Sequence, residues 1–126
     1  MNAPEGLRYS SDHEWVAIDG NLARIGITDY AQDALGDVVY VDLPGSGTAV
    51  AAAESFGEVE STKSVSELYA PVSGEIVQVN EVLSDTPEKL NEDAYGEGWL
   101  IAIEMSDPSE LDALLDAAAY TALIEA

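Results

Sequence analysis

The chain has 126 residues, 47% of them hydrophobic, a mean hydropathy near zero, and a formal net charge of −21 from 25 Asp and Glu against four Lys and Arg. That is enough chain for one domain with a real core, and too apolar for disorder. A field of this sign repels phosphate backbones and anionic membrane surfaces, so nucleic acid and membranes are excluded as partners and basic docking surfaces are steered toward the protein. The chain holds no cysteine, which rules out disulfides, thiolate metal sites and a thiol nucleophile. With no basic segment leading into an apolar run and no Arg-rich presequence, it reads as cytoplasmic or as a mature form already processed.

Residues 1–6 read as a loose end. Glu14 to Asp19 is a strand candidate that turns at Gly20-Asn21 and returns as Leu22 to Ile27. Thr28 has the chemistry of a helix N-cap, Asp29 suits the first turn and Gly36 lies beyond the end, predicting a short helix through Leu35. Val38 to Leu43 is rich in β-branched and aromatic residues and stops at Pro44-Gly45, so it reads as a strand. The alanines of Ala49 to Glu54 favour helix in isolation, but the β-rich surroundings predict a strand. Phe56 to Glu60 and Val65 to Tyr69 read as strands flanking a polar tip. Ala70 to Gly74 is a break, and Glu75 to Val79 alternates as a half-buried strand. Pro87 to Leu90 predicts one helical turn, and Trp99 to Met105 a buried strand. Near the end Asp107 caps, Pro108 takes the first helical position and Glu110 stands at the capping-box position, with Leu111, Leu114, Leu115 and Ala118 at helical spacing. Asp116 restarts a second short helix toward Ile124. The sum is a β core of many short strands with peripheral helices.

Lys63 is the residue to explain. The chain has only two lysines, Lys63 and Lys89. An isolated lysine in a turn is ordinarily a solvated charge, but this chain otherwise avoids the residue. A primary amine at the end of a rigid hairpin is exposed, geometrically defined and reachable by several partners, as a swinging cofactor arm requires. Lys89, beside Pro87, has no such frame. His13 next to Trp15 reads as structural rather than as a general base. Trp15, Trp99 and Tyr40 read as core or as walls of a cleft. Gly45-Ser46-Gly47 and Gly96-Glu97-Gly98 read as turns, since neither has the following helix pattern and lysine of a phosphate loop. There is no zinc, calcium-loop or nucleophilic-triad signature.

The segment Glu60-Ser61-Thr62-Lys63-Ser64-Val65-Ser66-Glu67-Leu68-Tyr69-Ala70-Pro71-Val72-Ser73-Gly74-Glu75 resembles the lipoyl-attachment segment of glycine cleavage system H proteins. His13-Glu14-Trp15, Ile25-Gly26-Ile27-Thr28, Leu35-Gly36-Asp37-Val38-Val39-Tyr40-Val41, Leu43-Pro44, Tyr95-Gly96-Glu97-Gly98-Trp99-Leu100 and the Leu114-Leu115-Asp116 region are further landmarks in the same order. The resemblance runs from about Leu7 to Ile124. It implies one lipoyl-carrier domain over 1–126, with C-terminal helices over 107–125, and a mainly β fold: a lipoyl-domain-like flattened β-barrel or sandwich. It also implies lipoate covalently bound to Lys63 as an amide, which removes the charge there. The implied role is a shuttle in glycine catabolism rather than an enzyme. Its implied partners are glycine decarboxylase (P protein), whose reaction leaves an aminomethyl group on the arm, aminomethyltransferase (T protein), dihydrolipoamide dehydrogenase (L protein) and a lipoylating enzyme.

The family shelters the loaded arm in a cleft on its own surface. The cleft positions carried over are Asp12, Glu14 and Glu67, with Glu14 the candidate to pair with the cargo amine. Many relatives have Ser where this chain has Asp12, Asp where it has Glu67, and Val and Ala where it has Thr62 and Ser64. Three other readings remain: an H-like protein donating lipoate to other apoproteins, another lipoyl or biotinyl carrier domain, and an unmodified acidic interaction domain. Biotin carriers usually place Met on both sides of the lysine, and 2-oxoacid dehydrogenase lipoyl domains usually read Asp-Lys-Ala.

Overall fold

The structure is a computed structural model describing residues 3–125. Two antiparallel sheets make up the body. The larger holds β1 (Arg8–Tyr9), β2 (Glu14–Asp19), β3 (Leu22–Ile27), β5 (Ala49–Val50), β8 (Gly74–Val79) and β9 (Ile101–Met105), in the order β1-β2-β3-β9-β8-β5. The smaller holds β4 (Val38–Asp42), β6 (Ser55–Ser61) and β7 (Val65–Tyr69), in the order β4-β6-β7. Neither sheet closes on itself, so of the two expected forms the sandwich is the one adopted. Helices α1 (Asp29–Leu35), α2 (Val82–Asp85), α3 (Lys89–Glu92) and α4 (Ala117–Glu125) and one 3₁₀ helix (Pro108–Ala113) lie at the periphery.

Local chemistry accounts for the elements that frame the site. β2 and β3 pair Asp19 with Leu22 across Gly20-Asn21. Gly20 alone of that pair has positive φ (61°), the pattern of a type II′ hairpin turn. Thr28 caps α1 by accepting the Ala31 amide at 3.2 Å, and Gly36, at φ 79°, ends the helix by returning its amide to Gln32 O. Along β2 side chains alternate. Val16 enters the core between the sheets with Ile25, Val59, Val72, Ile76, Ile101 and Ile103, while Trp15 enters a second cluster with Tyr9 and Tyr120. Each large side chain buried in this way contributes about 1.5–3 kcal/mol. The period of two places Glu14 on the same side as Val16, facing the smaller sheet.

Several segments depart from expectation. Only Ala49–Val50 of the strand expected over 49–54 is extended. The chain then turns through Ala53 at φ 71°, with Ala53 N donating to Ala70 O and Ala70 N to Glu54 O. This corner moves the chain from the larger sheet to the smaller one, which a straight strand could not do. The helix expected from Asp107 through Ala118 is instead a 3₁₀ helix over Pro108–Ala113. Asp107 caps it through the Ser109 amide, but Glu110 turns away from the cap to accept from Ser73 N (2.7 Å) and Ser73 Oγ (2.9 Å). Leu115 bridges to Tyr9 in both backbone directions at 2.8 Å, which interrupts helical bonding before α4. Asp116 Oδ1 then accepts the Ala119 amide at 2.8 Å, and α4 follows. Of the loose end expected at 1–6, Met1 and Asn2 lie outside the described residues. Ala3 packs on the Tyr9 cluster and Pro4 O accepts from Tyr9 OH, so this part is pinned. β1 and α2 had no clear sequence signal, being two and four residues long.

Candidate functional site

Lys63 stands at the tip of the β6–β7 hairpin, beyond the last strand pair Glu60–Val65. Neither Thr62 nor Lys63 has positive φ, so the tip is not the mirror-image turn that two-residue hairpins favour. Ser61 replaces that geometry with its side chain. Its buried hydroxyl accepts from Lys63 N and Ser64 N, each at 3.1 Å, and Ser61 N donates to Ser64 O at 2.8 Å. A second support comes from the segment after α1, where Asp37 O accepts Thr62 N at 3.0 Å. The Lys63 stem lies over Gly36: a Cβ added there would stand 3.2 Å from Lys63 Cε. Asn91 in α3 clamps this platform, accepting from Val38 N and donating to Gly36 O and Gln32 Oε1. The lysine is therefore exposed while its backbone is held on two sides.

Beside this tip a cleft of about 300 Å³ opens between the hairpin, α1 and the β1–β2 loop. Its apolar wall includes Ile27, Ala31, Ala34, Leu35, Val59 and Leu68, and Ser64 and Val65 belong both to its rim and to the lysine hairpin. Asp12, Glu14 and Glu67 all line it, so the three acids carried over by resemblance converge although 55 residues separate Asp12 from Glu67. None of the lining residues is Lys or Arg.

The three acids differ physically. Asp12 and Glu67 are exposed, and Glu67 accepts from Tyr69 OH at 3.0 Å. Glu14 is 2% exposed. Ser10 Oγ donates to its Oε1 at 2.8 Å, and Tyr69 N on the opposite sheet donates to its Oε2 at 3.2 Å. Burial pushes the Glu14 carboxyl up from 4.5 to about 7; the two hydrogen bonds oppose this and Asp12 adds to it. Among the described residues the ion pairs are Lys89 with Glu92 and with Glu97, so Glu14 has no cationic partner. The arrangement is a short apolar trough with a carboxylate at its inner edge and no cation to neutralise it. Such a trough can hold an apolar chain ending in a protonated amine.

Tyr40 is 57% exposed and does not line the cleft. A bulge between Val38 and Tyr40 turns both Val39 and Tyr40 outward. Trp15 is core, and Trp99 packs on its cluster beneath Arg24, whose guanidinium lies 4.9 Å from the ring centroid. His13, read from sequence as structural, lines the cleft. The α1 wall was also missed. Its only signal was the small pair Ala31 and Ala34, spaced three apart on one helix face.

A family model described as "Glycine cleavage H-protein" matches residues 7–126. The chain belongs to the glycine cleavage H-protein family. It is 59% identical over 125 residues to the glycine cleavage system H protein of Anaeromyxobacter sp. (strain K), covering 99% of this chain and 98% of that one. To the H protein of Geobacillus thermodenitrificans (strain NG80-2) it is 57% identical over 124 residues, covering 98% of each. The crystal structure of a glycine cleavage system H protein from Mycobacterium marinum superposes with a TM-score of 0.89 at 44% identity, covering 98% of this chain and 99% of that one. The two-sheet, lipoyl-domain-like fold is thus the fold of this H-protein family. Among the described residues no helix is long and apolar enough to cross a membrane, and no cluster of His, Cys, Asp and Glu could hold a metal ion.

Proposed function

We propose that this chain is the lipoyl-bearing shuttle of the glycine cleavage system, a non-catalytic carrier with Lys63 as its attachment point. It would take an aminomethyl group from glycine decarboxylase to aminomethyltransferase and then meet dihydrolipoamide dehydrogenase, after a lipoylating enzyme has loaded Lys63. The reading keeps the cytoplasmic location expected from sequence. Lipoate bound as an amide to Lys63 Nζ would supply a disulfide that accepts the aminomethyl group on one sulfur with a thiol on the other, and that would become a dithiol for reoxidation once the aminomethyltransferase has removed the cargo. The chain's own residues orient and shelter. Ser61 and the Gly36–Asp37 platform aim the lysine, and the wall formed by Ile27, Ala31, Ala34, Leu35 and Leu68 excludes water. Glu14, assisted by Asp12 and Glu67, would receive the cargo amine.

The observation that carries this reading is the convergence of three acids, with no Lys or Arg among them, in an apolar cleft that shares Ser64 and Val65 with the lysine hairpin. Intact mass and peptide mapping of protein from its native host should find one lipoyl group on Lys63, and Lys63→Arg should abolish glycine decarboxylation and glycine–bicarbonate exchange while keeping the fold. Biotin on Lys63 would move the protein to another carrier class. Retained activity in Lys63→Arg would overturn the assignment. A lipoylated protein inactive with glycine decarboxylase but able to pass lipoate to other apoproteins would make it a lipoate donor.

A further inference from the structure

The hydroxyl of Tyr120, in α4, meets His13 Nδ1 at 2.8 Å and Thr28 Oγ1 at 2.7 Å. Thr28 is fully buried, and its oxygen already accepts the Ala31 amide as the helix cap. Its proton therefore needs an acceptor, and among the described residues the oxygen in reach is that of Tyr120. With that oxygen accepting from Thr28, the single Tyr120 proton is left to donate to His13. Nδ1 is then an acceptor, and the imidazole proton sits on Nε2.

His13 is held in other ways that make this bond consequential. It occupies the left-handed region at φ 69°, a conformation costing a non-glycine residue roughly 1–3 kcal/mol unless its surroundings impose it. It closes the four-residue loop between β1 and β2: Ser10 N donates to Glu14 O, His13 N to Ser10 O and Thr28 N to His13 O. Its ring lies 4.7 Å from that of Tyr30 in α1. The groups facing it are Asp12 from its own loop, Glu14 at the start of β2, Tyr30 from α1 and Tyr120 from α4, and Glu67 of β7 lines the same cleft. A charged imidazole in that company would neutralise the carboxylates that the cleft otherwise leaves free.

We propose that His13 is a positioning residue of the cleft, locked by the relay Thr28→Tyr120→His13 as the neutral Nε2–H tautomer, so that α4 holds the Asp12–Glu14 corner in shape and keeps its acids uncompensated. The value of uncompensated acids rests on the shuttle reading; the relay itself does not. Burial also lowers the His13 pKa, with Asp12 opposing, which agrees with a neutral ring.

The first test is ¹⁵N imidazole spectroscopy on the unmodified protein at mildly alkaline pH. A single Nε2–H signature is expected; an Nδ1–H tautomer or an imidazolium would overturn the proposal, whatever the protein carries. Tyr120→Phe keeps the ring stack on Tyr9, whose centroids are 4.7 Å apart, and should lose the single-tautomer signature, whereas Thr28→Ser, which retains the hydroxyl, should preserve it. An unchanged signature in Tyr120→Phe would also overturn the relay. In the lipoylated protein, Tyr120→Phe should shorten the lifetime of the aminomethyl-loaded form by roughly fivefold, the factor set by one neutral hydrogen bond, while Thr28→Ser leaves it unchanged. A confirmed relay with an unchanged lifetime would detach His13 from the cleft without touching the tautomer.

Discussion

Replacing Glu14 with Gln should remove a pH dependence of stability that burial of this carboxyl creates. Below about pH 4.5 Glu14 is protonated in both folded and unfolded chains and carries no penalty. Between about 4.5 and about 7 the unfolded chain gives up the proton while the folded protein retains it. The unfolded state then binds fewer protons, so stability falls as pH rises through this window and stays lowered above it. At about 1.4 kcal/mol per pH unit, the interval amounts to about 3 kcal/mol. Gln carries no such penalty, but it can accept only one of the two bonds that Ser10 Oγ and Tyr69 N donate to the carboxylate. The unmet donor costs roughly 1–3 kcal/mol at every pH, so it offsets the two curves without changing their relative slope. The assay is urea unfolding of wild type and Glu14→Gln at about pH 4 and about pH 8. The stability difference should shift in favour of Gln by about 3 kcal/mol across that range. The other acidic groups titrate alike in both proteins and cancel. Parallel stability curves would refute the reasoning, because they would mean that Glu14 ionises in the folded protein as freely as in water.

Glu14→Ala should leave lipoylation intact, since Glu14 bonds the lysine hairpin only at Tyr69 N, at the end of β7 away from Lys63, but should shorten the lifetime of the loaded protein measured by cargo release; an unchanged lifetime would remove Glu14 from the cleft's work. With a net charge of −21, the folded protein repels itself, so its melting temperature should rise between low and moderate salt, checked by calorimetry. Gly26→Ala should lower the urea midpoint by the equivalent of roughly 2–3 kcal/mol. The new Cβ would lie 2.5 Å from the Trp15 ring, which cannot retreat while its Nε1 donates to Ala94 O at 2.9 Å. An unchanged midpoint would show that the indole yields freely.

The elements legible in the sequence are those whose causes lie within a few residues. The β2–β3 hairpin follows from two strand-like runs about the Gly20-Asn21 turn, α1 from Thr28 and Gly36 at its two ends, and the Lys63 hairpin from two strand-like runs about a polar tip. Turn geometry and capping each shift a local equilibrium by about 1 kcal/mol, enough to be read in place. Lys63 could be singled out before any fold was known, because scarcity and a hairpin frame are both properties of the chain.

The cleft was not legible in that way. The alternation of β2 puts Glu14 and Val16 on one face, but only the approach of β7 buries the carboxyl and brings Tyr69 N to it from 55 residues away. Without that approach Glu14 is one of 25 acids. Glu110 has the spacing of a capping box and is drawn instead to Ser73, while Leu115 leaves the helical pattern to pair with Tyr9. His13 reads as an isolated structural histidine until α4, 107 residues on, brings Tyr120 against it. In each case a long-range partner outcompetes the local preference, because packing and buried hydrogen bonds are worth more than propensity and depend on distances that sequence spacing does not contain.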